Sequence, residues 1–199
     1  MKLVIATGNA GKLAEYKELL ANLPYTIYSQ KDYPEVGEIT ETGLTFRENA
    51  ALKAELVAAH TGELTLADDS GLEVDALGGL PGVYSSRFAG PNATDEANNA
   101  KLLRKLEGIG PAERTARFRA VIAVSFPGRK TIFAEGVCEG RIIEKPLGTG
   151  GFGYDPLFLL PERGLTFAQL TAAEKNKISH RARALAQVRQ ILHDLALKG

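Results

Sequence analysis

Leu3-Val4-Ile5-Ala6 runs straight into Thr7-Gly8-Asn9-Ala10-Gly11-Lys12, and a helix pattern follows. Four consecutive apolar residues predict a buried strand, so the chain opens strand, loop, helix, the unit of a sheet covered by helices. The same stretch builds an anion site. Its glycines permit a tight turn with close approach of backbone N–H groups. The helix start adds unsatisfied N–H donors and a positive dipole end. Lys12 supplies a charge, Thr7 and Asn9 supply neutral hydrogen-bonding groups, and a phosphate ester fits that set. Read alone, the segment is equally an ordinary strand-to-helix turn.

Two familiar phosphate loops are excluded. The Walker pattern needs a glycine where Ala6 stands and a hydroxyl where Leu13 stands. Gly8 and Gly11 give only half of a dinucleotide fingerprint. A complete G-x-G-x-x-G occurs at Gly148, Gly150 and Gly153, but strand-like Leu157-Phe158-Leu159-Leu160 follows it, with no helix to receive a pyrophosphate.

The 199 residues are 44% hydrophobic, enough for a sizeable core in one domain spanning 1–199 or in two small lobes. Lys plus Arg and Asp plus Glu each total 24, so no global field favours nucleic acid or a membrane surface. A single cysteine, Cys138, excludes an internal disulfide and fits a reducing compartment. No apolar run approaches membrane-spanning length, and the apolar start is too short for a signal peptide. The expectation is a cytoplasmic protein.

Along the chain, the spacing predicts a helix over about 12–22, with Leu13, Tyr16, Leu19 and Leu20 on one face, and a strand from Tyr25 to Ser29. Thr45-Phe46-Arg47-Glu48 is a capping box, predicting a helix from Thr45 to about His60 that Gly62 ends. Leu64-Thr65-Leu66-Ala67 reads as a strand entering a turn at Asp68-Asp69-Ser70-Gly71, and Leu72-Glu73-Val74-Asp75 as a second strand leaving it. A helix capped by Thr94 is expected from Asp95 to Leu106. Even-numbered apolar positions from Ala116 to Phe126 predict a long strand, paired through the Pro127–Lys130 turn with another over Thr131 to Glu139. A helix with Leu185, Val188, Leu192 and Leu195 on one face closes the chain. The sum is an α/β protein with a mixed sheet covered by helices.

The chemistry-bearing groups fall in four places. Asp68 and Asp69, adjacent at the expected turn, offer oxygen ligands to a divalent ion, and one could deprotonate an attacking water. Glu38 and Glu41, in the loop before the capped helix, are alternative completions of a magnesium site. The loop Gly148-Thr149-Gly150-Gly151-Phe152-Gly153-Tyr154-Asp155-Pro156 offers a stacking face in Phe152 and an acceptor in Asp155. Ser179-His180-Arg181 opens the last helix, with Ser179 as its cap and His180 and Arg181 as donors suited to a purine carbonyl; Lys175 adds a donor nearby. Lys53, two turns into the capped helix, reads on position alone as a surface charge.

Taken together, T-G-N-x-x-K (Thr7 to Lys12), E-T-G-x-T-F (Glu41 to Phe46), E-N-A-x-x-K-A (Glu48 to Ala54), A-D-D-S-G-L (Ala67 to Leu72), the glycine-rich loop and S-H-R resemble the inosine/xanthosine triphosphate pyrophosphatase family, in order and across essentially the whole chain. The resemblance implies a two-lobed α/β fold around a long twisted mixed sheet with a cleft between lobes, and a homodimer. It further implies magnesium-dependent cleavage of dITP, ITP and XTP to monophosphate and pyrophosphate. Thr7, Gly8, Asn9, Ala10, Gly11, Lys12 and Lys53 would hold phosphates, and Ser70 would touch the substrate. Asp69 would be the general base and, with Glu41, a metal ligand, supported by Asp68. Phe152, Gly153, Tyr154, Asp155, Lys175, His180 and Arg181 would form the purine pocket. A non-catalytic nucleotide sensor, a nucleotide-dependent transferase and a pyrophosphatase for modified pyrimidines are the competing readings.

Overall fold

The computed structural model describes residues 1–196. Seven strands form one mixed sheet: β1 (Lys2–Ile5), β2 (Thr26–Ser29), β3 (Leu64–Val74), β4 (Thr115–Ser125), β5 (Ile132–Ile142), β6 (Phe158–Leu160) and β7 (Leu165–Thr166). Their order across the sheet is β2-β1-β3-β4-β5-β6-β7. β1 runs parallel to both neighbours, with Leu3 opposite Leu64 and Ile5 opposite Leu66, whereas β5–β6 and β6–β7 are antiparallel. A strand enclosed between parallel neighbours is covered on both faces, which is why Leu3, Val4 and Ile5 are apolar without alternation. The helices are α1 (Ala10–Leu19), α2 (Phe46–Thr61), α3 (Asp95–Lys105), α4 (Ala172–Ile178) and α5 (His180–Ala196).

The chain divides into two compact units. The first comprises Met1–Asp69, Ala120–Gly136 and the chain from Arg181 onward; the second comprises Ser70–Arg119 and Val137–His180. Each has its own core. In the first, Leu3, Ile5, Tyr16, Leu20 and Leu66 pack with Ile122, Leu185, Val188 and Leu192. In the second, Leu72, Val74, Phe118, Tyr154, Phe158 and Phe167 do so, with Leu102 and Leu106 of the α3 region.

The structure redraws three sequence expectations. α1 begins at Ala10 rather than 12, because the Asn9 side chain accepts the Lys12 N–H at 2.9 Å and caps the helix two residues earlier; it ends at Leu19. Neither Gly8 nor Gly11 has positive φ, so this turn does not depend on glycine's conformational freedom. The turn at Asp68-Asp69-Ser70-Gly71 does not exist. β3 runs through it as one extended strand, its carboxylates engaged by side chains of the covering helices instead of by turn amides. In β4 the alternation holds from Thr115 to Ala120 and then gives way to continuous burial through Ser125, while Phe126 lies beyond the strand and is exposed.

The capping box on α2 forms as expected. Glu48 N–H donates to Thr45 Oγ1, Thr45 N–H donates to Glu48 Oε2, and Gly62 closes the helix at φ 72°. α3 starts on Thr94. Ser179, in an extended conformation, separates α4 from α5.

Candidate active site

In a strand, neighbouring side chains point to opposite faces. Asp68 and Asp69 therefore meet different partners and do not form the chelating doublet that their adjacency in sequence invites. Asp68 Oδ2 lies 3.1 Å from Lys12 Nζ of α1 and 3.3 Å from both Nε and Nη2 of Arg181 at the start of α5. Arg181 Nη1 donates to Glu15, one turn beyond Lys12 on α1. At its centre the Asp68 and Arg181 side chains are 0% and 1% exposed, while Lys12 and Glu15 at its rim remain partly open to solvent. Burial alone would push the Asp68 carboxyl up, but the charges of Lys12, Arg181 and Lys53 outweigh it and hold it well below the usual carboxylate range.

That shift has a sign for stability. A carboxyl depressed on folding contributes stability above its unfolded pKa, and that contribution is lost as pH falls through the folded value. Wild type and Asp68→Asn should thus differ most in unfolding free energy at neutral pH. The gap should narrow as pH drops below about 5, where the unfolded carboxylate begins to protonate. Denaturant melts at a series of pH values test this, and a gap that is constant with pH contradicts it.

Asp69 faces α2. Its Oδ2 accepts from Asn49 Nδ2 at 3.0 Å, and its Oδ1 lies 3.7 Å from Lys53 Nζ. Lys53 in turn donates to Glu41 Oε1 at 2.5 Å. Burial raises the Asp69 carboxyl above its ordinary value, and the nearby Lys53 and Lys12 charges only partly offset this. Burial pulls Lys53 down, yet Asp69 and Glu41 prevail and raise it. Lys53 is no surface charge: its side chain is 11% exposed. Glu41, not Glu38, is the glutamate that reaches this group; Glu38 is exposed.

Among the described residues, no three His, Cys, Asp or Glu side chains gather into a protein-only metal cage. The pair Glu41 and Asp69, both turned toward one ammonium, is a donor set of another kind. Magnesium characteristically uses one or two carboxylates beside substrate phosphates, and the pair fits that habit.

In the second unit the glycine-rich loop is locked from within by Asp155. Its Oδ2 accepts from Phe152 N–H at 3.0 Å and from Lys175 Nζ at 2.6 Å, and both Asp155 and Lys175 are buried. A Cβ on Gly151, which sits at φ 72°, would come within 2.0 Å of that oxygen. From outside, two α3 side chains one turn apart grip Gly153: Asp95 accepts its N–H at 2.6 Å and Asn99 donates to its carbonyl at 3.0 Å. The Lys175 ammonium lies 4.7 Å from the centre of the Phe152 ring. His180 stacks on Phe118 at 4.9 Å and 13°.

Two of the residues expected at the purine have side-chain partners of their own in this structure. Tyr154 is a core residue whose hydroxyl donates to Ser85 O at 2.8 Å. The Arg181 guanidinium meets Asp68 and Glu15 while His180, the preceding residue, stacks on Phe118, because successive helix residues project about 100° apart. Thr7, Gly8, Asn9 and Ala10 lie at the surface end of β1 and the start of α1, and Ser70 is half-buried in β3. Asn49, Glu15, Asp95, Asn99 and Phe118 were not singled out in the sequence. Asn49 carried a signal, since asparagine is a poor residue within a helix unless its side chain has a task.

The model of the Ham1 family matches residues 3–191. The chain belongs to the Ham1 family. A relative named dITP/XTP pyrophosphatase in Shouchella clausii is 56% identical over 191 residues, covering 96% of each chain. The solved structure of a HAM1 protein from Coxiella burnetii superposes with a TM-score of 0.89 at 44% identity, covering 98% of this chain and 99% of that one. The Staphylococcus aureus Ham1 protein does so with a TM-score of 0.87 at 41% identity and the same coverage. The open mixed sheet flanked by helices is thus the Ham1 fold. No helix among the described residues is long and apolar enough to cross a membrane.

Proposed function

We propose that this Ham1 protein hydrolyses non-standard purine nucleoside triphosphates, dITP, ITP and XTP, to the monophosphate and pyrophosphate. The observation that carries the reading is the part-buried Glu41–Lys53–Asp69 group, in a chain whose relatives bear the name dITP/XTP pyrophosphatase across nearly their full length. Asp69 takes the proton of a water attacking the α phosphate; a carboxyl raised by burial is a better base than an exposed one. Lys12, Lys53 and the Thr7–Lys12 loop bind the phosphates. Glu41 and Asp69 would hold magnesium, which when bound neutralises charge developing on the phosphates.

Phe152, Asp155, Lys175 and His180 bind the base, the first by stacking and the others by polar contacts. Donors there favour a purine 6-carbonyl over the adenine amino group, which would leave them unpaired at about 1–3 kcal/mol each. The family resemblance supports a homodimer, and the lone Cys138 supports a cytoplasmic location; neither nucleic acid nor membrane is a partner in this reading.

The test is a panel of nucleoside triphosphates with magnesium, run in ¹⁸O-labelled water. Release of pyrophosphate from ITP, dITP and XTP, weak activity on ATP and label in the monophosphate are expected. Label in orthophosphate, or no activity on any of the three, contradicts the reading.

A further inference from the structure

Asn49 is fully buried in the first turn of α2, and both ends of its carboxamide are used. Nδ2 donates to Asp69 Oδ2 at 3.0 Å, while Oδ1 accepts the backbone N–H of Gly43 at 2.7 Å. Gly43 is two residues from Glu41, so one rigid amide ties the strand that carries Asp69 to the loop that carries Glu41. The loop is fitted closely against it. A Cβ at Gly43 would lie 2.6 Å from Asn49 Oδ1, 2.7 Å from Glu48 Cβ and 2.9 Å from the Asn49 nitrogen, with no positive φ to explain the glycine. The contact itself therefore accounts for the glycine.

We propose that Asn49 is a positioning residue that sets the spacing and orientation of the two carboxylates, Glu41 and Asp69, around a single cation position. It works through both ends at once. The Nδ2 bond fixes which Asp69 oxygen points toward Lys53 and Glu41, and the Oδ1 bond fixes how far the Glu41 loop stands from β3. The proposal rests on the functional reading above, in which those carboxylates hold magnesium and Asp69 accepts a proton. Groups that orient metal-binding carboxylates typically cost 10–100-fold in affinity or rate when removed.

The experiment compares wild type with Asn49→Leu, which keeps volume and removes both hydrogen bonds. Thermal melts, kcat and KM for ITP at saturating magnesium, and Mn²⁺ affinity without nucleotide, by water-proton relaxation, are the readouts. Asn49→Leu should lose about 10–100-fold in kcat and a similar factor in Mn²⁺ affinity, with a much smaller change in KM. A purely structural role would lower Tm while kcat per folded molecule and Mn²⁺ affinity stayed at wild-type values, and that result overturns the proposal. Should Asn49→Leu not fold, Gly43→Ala displaces the same amide with its chemistry intact and should show the same two losses; wild-type values there overturn the proposal equally. A wild-type enzyme inactive on the whole nucleotide panel would instead sink the functional reading, and the Mn²⁺ titration, which needs no turnover, would still report on Asn49.

Discussion

Asp69→Asn is expected to lower kcat for ITP by about 10²–10⁴-fold, the range that a positioned general base supplies. The substitution preserves shape and removes both the lone pair proposed to take the proton and the charge that faces the Lys53–Glu41 pair. The fold should hardly notice. Asp69 is a carboxylate whose charge is penalised by burial, so its stabilising contribution exists at low pH and is lost as pH rises through its raised pKa. Neutralising it at pH 7 removes that penalty and offsets the lost attraction to Lys53, leaving a change within about 1 kcal/mol, or roughly 2–4 °C in Tm for a chain of this size. Steady-state kinetics beside a thermal melt check both halves. A folded Asp69→Asn enzyme that keeps most of its turnover removes Asp69 from the mechanism.

Arg181→Leu should produce the opposite pattern, a large loss of stability. The guanidinium is buried between Asp68 and Glu15, and Lys12 alone cannot balance both carboxylates. Removing one partner of a buried ionic group strands the others, at about 3–5 kcal/mol. For a domain of this size that corresponds to a fall of roughly 6–20 °C in Tm. Restoring neutrality with Asp68→Asn in the Arg181→Leu background should recover part of the loss, because residues in one network couple non-additively. A Tm for Arg181→Leu within the error of wild type would show that the cluster is not holding the start of α5 in place.

The sequence made the β1–loop–α1 unit, the Thr45–Glu48 cap and the α3 start legible because each is a local device, written in consecutive residues. The candidate site was less legible where partners are distant. Asp68-Asp69-Ser70-Gly71 carries every local mark of a turn, yet side chains from α1, α2 and α5 supply the hydrogen bonds and charges that let the strand continue. Lys53 read alone is a surface lysine; only the fold brings Glu41 and Asp69 to it. Tyr154 sits in the glycine-rich motif with its ring in the core, since a motif records which residues travel together and not which way each side chain points. Arg181 teaches the same lesson one residue from His180.

The pleat of β3 has a consequence for how this protein can change over time. Two acids of opposite electrostatic character, one held ionised and one pushed toward neutrality, are told apart only by the parity of their positions along the strand. Inserting or deleting one residue between the Leu64–Leu66 pairing with β1 and Asp68 would exchange their faces, sending the wrong carboxylate to each set of partners. The segment thus behaves like a reading frame. Point substitutions in it can be graded in effect, but a single-residue length change scrambles both clusters at once. Descendants of this chain should accept length variation in the surface loop before α2, where Glu38 is exposed, and none between Leu66 and Asp69.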